Sequence, residues 1–298
     1  MTDAGTGTFE RVASEFESGD LDWVYGRPVD LRLAYNNDRR KLLGDVARDC
    51  RIEPVETELA SGLVFTPATP MHDRAIVYFH GGGWVVGSPA THQVPCSHLA
   101  VRSRHAVWSM RYGLAPENPF PRQREDAINA IAAVLECFDR VILAGDSAGA
   151  AVAFWGLHDL PHHLLSRVDG IVGLYGSYGR IPPEADGNDP LSPREIRAMF
   201  ARLGPLTSLP AIPGFDIVDA LPAEGPPVFL SVGDADPLIG DTRAMVSRLH
   251  TLGREVELEV IAGLGHSFAH FVEQLPDAGK ALMSIADWIR ERKRLRSS

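Results

Sequence analysis

The segment VILAGDSAGAAVAF, residues 141–154, constrains the fold more than any other part of the chain. A short apolar run leads into Gly145-Asp146-Ser147-Ala148-Gly149, and a small-residue run follows. An apolar strand, a serine flanked by glycines two positions either side, and then a small-residue helix predict a sharp strand-to-helix turn. Small neighbours let such a turn pass close to adjacent strands, and the serine hydroxyl then stands at the carboxyl edge of the sheet. The helix that follows would aim its free N–H groups at the same place.

The surrounding segments supply a sheet for that turn. RAIVYFH (74–80) and HAVWSMRY (105–112) predict strands, as do RVILAG (140–145), DGIVGLYG (169–176) and PPVFLSVG (226–233). The last three are compact apolar runs of the kind buried on both faces in parallel sheets. EVELEVI (255–261) alternates like an edge strand, and VETELASGLVF (55–65) predicts a hairpin. Residues 122–138 carry Ala127, Ile128, Ile131, Ala132, Leu135 and Phe138 at helical spacing. Strands alternating with helices from about residue 74 imply an α/β fold, a mostly parallel central sheet flanked by helices.

Two segments break that rhythm. Residues 8–20 and 29–49 carry helix-compatible spacing ahead of the first strand, with Leu31, Leu33, Leu42, Leu43 and Val46 as apolar positions. Residues 178–225 are rich in Pro and Gly. A connection that long is uncommon in a compact domain unless it forms a lid or binding element. We therefore expect residues 1–50 and 178–225 to be elements of a helical cap on a catalytic domain formed by 51–177 and 226–298.

Composition excludes some functions. The 29 basic and 39 acidic residues give a formal charge of −10, which argues against a polyanionic partner such as nucleic acid. No apolar run approaches the roughly 20 residues needed to span a bilayer, so no membrane role is expected. The acidic N-terminus lacks a secretory core, which makes a cytoplasmic protein the expectation. Cys50, Cys96 and Cys137 are too widely spaced for a metal-ligand motif and read as buried apolar residues in a reducing compartment. The basic end RERKRLRSS reads as the solvated end of a helix and a frayed tail. A homodimer is left open.

A serine nucleophile needs a base, and the base an orienting acid. Asp234 and Asp236 follow the strand PPVFLSVG, and His266 and His270 follow EVELEVI, with His266 in a glycine-rich loop. Both pairs lie after Ser147, so a serine, an acid and a histidine can converge on one sheet edge, with the choice within each pair open. His270 reads as the start of the next helix. His80-Gly81-Gly82-Gly83-Trp84 follows another strand. Three consecutive glycines carry an entropic cost that makes sense where backbone N–H groups must approach a developing oxyanion.

These motifs together resemble the bacterial hormone-sensitive-lipase-like family of α/β-hydrolases, carboxylesterases with a helical cap, over roughly residues 74–290. HGGGWVVGSPATH (80–92) is similar to the family's oxyanion segment and YGLAPENPFP (112–121) to its Y-R-L-A-P-E-x-P-F-P stretch. GDSAG, DADPL (234–238) and GHSF (265–268) match the nucleophile, acid and histidine signatures in order. The resemblance implies Ser147 as nucleophile, Asp236 as acid and His266 as base, with the Gly82, Gly83 and Ala148 amides as oxyanion donors. Asp146 and Glu117 would support the loops. Gly113 departs from the family's Arg, and Ala150 and Ala151 from its usual Gly and Asn.

The implied activity is hydrolysis of short- to medium-chain acyl esters through an acyl-enzyme, with no metal or cofactor. A formamidase-type amidase and a catalytically silent ligand-binding protein of the same fold are the alternatives. Trp23, Tyr25, Phe200 and Leu203 are candidate acyl-pocket residues, although residues of this type are more often plain core.

Overall fold

A computed structural model describes residues 3–19, 21–185 and 191–292. Eight strands form one sheet: β1 (Cys50–Glu56), β2 (Ser61–Pro67), β3 (Met71–Phe79), β4 (His105–Met110), β5 (Val141–Asp146), β6 (Val168–Leu174), β7 (Val228–Gly233) and β8 (Val256–Ile261). Their spatial order is β1-β2-β4-β3-β5-β6-β7-β8. The β1–β2 hairpin pairs antiparallel and β2 meets β4 antiparallel; every other pairing is parallel. The predicted hairpin is present, although β1 begins at Cys50 and carries Pro54 within it, tolerated because β1 is an edge strand.

The helices are α1 (Asp3–Phe16), α2 (Pro28–Arg40), α3 (Gln93–Ser103), α4 (Arg122–Cys137), α5 (Ala148–His158), α6 (His162–Leu165), α7 (Pro193–Leu203), α8 (Ile217–Ala220), α9 (Ile239–Thr251) and α10 (Pro276–Glu291). Alternate residues of the central strands feed two cores. Val77, Phe79, Leu143 and Leu230 pack with Ile131 of α4, Val152 of α5 and Leu249 of α9. Ile76, Tyr78, Ile142 and Val172 pack on the other face with Leu99 of α3 and Leu282 and Ile285 of α10. Full burial of such side chains stabilises by about 1.5–3 kcal/mol each. Because β5 and β6 are buried on both faces they read as unbroken apolar runs, whereas β8 alternates at the open edge.

Two expectations, the extent of the helix over 29–49 and the burial of the cysteines, need correction. The helical pattern over 29–49 stops at Arg40; the chain then makes one 3-10 turn at Leu43–Asp45, where His98 Nε2 meets the Asp45 carbonyl at 2.8 Å. Residues 178–225 hold α7, α8 and a 3-10 turn at Leu209–Ala211. Only Cys96 is fully buried; Cys50 is intermediate and Cys137 exposed, because Cys137 ends α4 on its solvent side. Of the basic C-terminal stretch, residues 293–298 lie outside the described residues, as do 186–190 of the long connection.

The two irregular segments meet over the carboxyl edge of the sheet. The Arg202 guanidinium of α7 donates to the Trp23 and Gly26 carbonyls at 3.0 and 2.8 Å, joining residues 176–179 positions apart in sequence. Phe200 of α7 packs on Trp84 at a tilt of 45°, with ring centroids 4.7 Å apart. From the other side, α1 sets Phe9 against the loop after β8: a Cβ on Gly265 would lie 2.4 Å from the Phe9 ring.

Candidate active site

Ser147 begins the turn between β5 and α5 with φ 52 and ψ −122, a left-handed backbone that a side-chain-bearing residue adopts only under constraint. The constraint is visible on both sides. The Ser147 amide donates to the Leu174 carbonyl at 2.9 Å, and its carbonyl accepts from Ala150 and Ser177 at 3.1 Å each. The flanking glycines are obligatory. A Cβ on Gly145 would stand 2.3 Å from the Gly149 carbonyl oxygen, and one on Gly149 would stand 2.1 Å from the Phe79 carbonyl oxygen.

The Ser147 hydroxyl lies 2.9 Å from His266 Nε2, and His266 Nδ1 lies 2.9 Å from Asp236 Oδ2. The second carboxylate oxygen of Asp236 accepts the Leu238 amide at 2.7 Å, which fixes the buried carboxylate's rotation. This network assigns the imidazole an Nδ1–H donated to Asp236 and an Nε2 lone pair facing the serine hydroxyl. Burial presses the His266 pKa downward, but the charge and hydrogen bond of Asp236, helped by Asp146 and Glu17, outweigh it and raise the pKa above 6.5. The Tyr175 ring meets the imidazole edge-on at 5.1 Å.

The two ambiguities of the sequence resolve in this geometry. Asp234 is engaged elsewhere: its Oδ1 accepts the Gly263 amide at 2.8 Å and ties the β7 loop to the β8 loop. His270 is not the start of a helix proper. It is buried in a 3-10 turn, Phe268–Phe271, edge-on to His92 at 4.7 Å, and α10 begins only at Pro276.

Gly82 and Gly83 are both left-handed, with φ 114 and 57. Their loop folds back through hydrogen bonds from the Val85 and Val86 amides to the Gly82 carbonyl, both 3.0 Å. No hydrogen bond from the Gly82, Gly83 or Ala148 amide occurs among the described residues. Ala148 opens the eleven-residue helix α5, so its N–H is one of the donors that a helix start leaves unused. A cluster of small buried groups could therefore receive negative charge beside Ser147.

Asp146 braces this loop. Its Oδ1 accepts from the Gly81 amide at 2.9 Å and the Tyr78 hydroxyl at 2.8 Å, while Oδ2 stands 3.4 Å from His92 Nε2. Burial alone would raise the Asp146 pKa; His92, Tyr78 and His80 together bring it below the ordinary carboxylate value. His92, Asp146 and His270 each offer one ligand atom within 4.8 Å of the others. The positive charge of Arg39 bears on His270 and opposes a second cation there. The polar contacts of the cluster serve the loop.

Glu117 holds Arg32 of α2 through two contacts, 2.9 and 2.6 Å, and Arg32 also donates to the Val85 and Ala115 carbonyls. The support role expected of Asp146 and Glu117 thus has specific contacts. The roles of Tyr78, His92 and Arg32 escaped sequence reading. His92 closes the HGGGWVVGSPATH motif, and that position was the one available signal.

Gly113 donates its amide to Asp126 Oδ2 at 2.7 Å and lines a polar cavity of about 240 Å³ that shares no residue with the Ser147 cluster. Ala150 and Ala151 are fully buried, Ala150 against Gly176, where a Cβ would come within 2.7 Å. Trp23, Phe200 and Leu203 are buried members of the core. Tyr25 is 76% exposed, and its hydroxyl accepts from Arg194.

A model of the α/β hydrolase fold family matches residues 76–270, and the chain belongs to that family. It falls within the hormone-sensitive-lipase-like branch. An esterase of the bacterial hormone-sensitive lipase family superposes with a TM-score of 0.83 at 25% identity, covering 97% of this chain and 99% of that one. A thermostable esterase from Pseudomonas putida shares the fold with a TM-score of 0.84 at 18% identity, covering 99% and 100%. In sequence, the chain is 30% identical over 227 residues to an acetyl-hydrolase of Streptomyces hygroscopicus, covering 73% of this chain and 75% of the relative. It is 45% identical to probable carboxylesterase 6 of Arabidopsis thaliana over 118 residues, a match that spans 35% of each.

Proposed function

We propose that the protein is a serine carboxylesterase that hydrolyses short- to medium-chain acyl esters through an acyl-enzyme intermediate. The observation that carries this reading is the unbroken chain Ser147 Oγ–His266–Asp236, two contacts of 2.9 Å at the carboxyl edge of the sheet. His266 Nε2 takes the hydroxyl proton as Ser147 Oγ attacks the ester carbonyl carbon. Asp236 holds the tautomer and stabilises the imidazolium that forms. The oxyanion receives hydrogen bonds from the Gly82, Gly83 and Ala148 amides, where loss of one donor typically costs ~10²–10³ in rate. His266 returns the proton to the departing alcohol, then activates the water that releases the acid. The steps use protein groups alone.

In this reading the segments 1–50 and 178–225 are the cap of a catalytic domain formed by 51–177 and 226–298. Their mutual clamp at Arg202 and the packing of Phe200 on Trp84 favour small soluble esters over lipid aggregates. No helix among the described residues is long and apolar enough to cross a membrane, and a cytoplasmic location suits the reading. A homodimer has one specific support: β8 is an open sheet edge carrying exposed Leu258 and Val260. Light scattering at two concentrations tests it.

The first experiment compares hydrolysis of p-nitrophenyl acetate, butyrate and octanoate by wild type and Ser147→Ala. Strongest turnover on the shorter chains, abolished in the variant, is the expected result. Turnover that survives the substitution would remove Ser147 from the mechanism, and a folded wild type inert to all three esters would favour the amidase or the silent binding protein.

A further inference from the structure

The residue after the three glycines is the odd one in its loop. Trp84 has φ 63, a left-handed backbone that suits glycine and strains a bulky side chain. Glycine at that position would relax the turn, and the chain holds a tryptophan there instead. Three contacts fasten it. Its carbonyl accepts the Ala115 amide at 2.9 Å. Its ring, almost fully buried, packs against Trp155 at 5.7 Å and Phe200 at 4.7 Å. Its indole Nε1–H donates to the Ala148 carbonyl at 3.1 Å.

The last contact spans the two halves of the anion cradle. Gly82 and Gly83 stand on the loop after β3, two and one residues before Trp84, whereas the Ala148 amide belongs to the turn after β5. Among the described residues, the indole N–H is the side-chain hydrogen bond between the glycine loop and Ala148, the first residue of α5. A hydrogen bond to the Ala148 carbonyl fixes the orientation of that residue and, through the ring, the register of the glycine loop against it.

We infer that Trp84 is a positioning residue that sets the spacing of the Gly82 and Gly83 amides relative to the Ala148 amide. The inference rests on the reading of those amides as the oxyanion site. Trp84→Phe keeps an aromatic ring and removes the N–H; Trp84→Gly relieves the backbone and removes the link altogether. The assay measures kcat and KM on p-nitrophenyl butyrate, and inhibition by an aryl trifluoromethyl ketone and its methyl ketone counterpart. The fluorinated ketone accepts the Ser147 oxygen at its carbonyl carbon, His266 Nε2 takes the hydroxyl proton, and the carbonyl π pair moves onto oxygen to give the charged oxyanion, while the methyl ketone stays a neutral carbonyl.

For Trp84→Phe we expect kcat to fall about tenfold, equivalent to ~1.4 kcal/mol, with KM within twofold. The fluorinated ketone should lose affinity by the same factor, and the methyl ketone should not. Trp84→Gly should lose at least as much despite its relaxed backbone. Wild-type kcat and analogue affinity in either variant would overturn the inference, and so would equal loss of both ketones, which would mark a packing defect. Should neither variant fold, ¹⁵N-indole spectra of the wild type decide. The Trp84 N–H resonance must move on binding the fluorinated ketone more than those of Trp23, Trp108 and Trp288, and a stationary signal refutes the role. Ser147→Ala measured alongside separates the two levels: activity retained there fails the nucleophile reading, whatever Trp84 does.

Discussion

Replacing Asp236 with Asn tests the proposed machinery at the point where geometry and charge make separate demands. Asp236 has two oxygens with fixed duties, one on the Leu238 amide at 2.7 Å and one on His266 Nδ1 at 2.9 Å. An asparagine has one oxygen, and the Leu238 N–H claims it, because a buried donor left unpaired costs about 1–3 kcal/mol. The amide NH2 then faces Nδ1 and forces it to accept. The proton moves to Nε2, where it blocks transfer from Ser147. A wrong tautomer of this kind lowers turnover by about 10⁴, or ~5 kcal/mol of barrier.

The same substitution moves the pH profile, and the sign can be worked out. The base acts when neutral, so activity falls as pH drops through the His266 pKa. In the wild type the Asp236 carboxylate holds that pKa above 6.5 against the pull of burial. The acidic limb of kcat/KM should therefore lie above 6.5. In Asp236→Asn the raising contribution is gone and burial remains, so the residual activity should show a limb shifted to lower pH. Stopped-flow or continuous ester assays across pH 4–9 read both quantities. A loss under tenfold, or a limb that stays in place or moves upward, would refute the assignment. Stability follows the same linkage: the raised pKa contributes stability that is complete below about pH 6.5 and is lost as pH rises through the folded value.

Two more outcomes follow from the elbow and its brace. Gly149→Ala should fail to accumulate as folded protein, because its Cβ would lie 2.1 Å from the Phe79 carbonyl and 2.6 Å from that of His80, both backbone; soluble protein with native near-UV circular dichroism would contradict this. Asp146→Ala strands the Tyr78 hydroxyl in the core and leaves the Gly81 N–H with His92 Nε2 alone, at 3.2 Å, so urea unfolding should show a loss of about 1–3 kcal/mol, and an unchanged stability would refute the brace. In the wild type the lowered Asp146 pKa contributes stability that is present above the ordinary carboxylate range and lost as pH falls through the folded value.

What could be read from the sequence follows from what burial does to residue choice. The central strands were legible because two covered faces demand apolar residues at every position, and β8 was legible because one open edge restores alternation. Helix α3 was not, for the converse reason. It is covered by the sheet on one side and α10 on the other, so Val94, Cys96, Ser97, His98 and Leu99 are all buried and no polar face remains to mark a period. Helix α7 was recoverable. Ser192-Pro193-Arg194-Glu195 spells a capping box with proline at the first helical position, and the Ser192 hydroxyl does accept the Glu195 amide while Glu195 takes that of Leu191. The candidate site divides along the same line. Glycines, serine and histidine announce themselves through backbone and chemistry that few residues supply. Strand and loop position could not separate Asp234 from Asp236, since both end the same strand in the same loop; the Pro-Leu after Asp236 marks it through the family resemblance alone. The choice was decided by which loop each carboxylate meets across the sheet edge: Asp234 closes on Gly263 and locks the loop, which leaves Asp236 free to reach the imidazole that this locked loop presents.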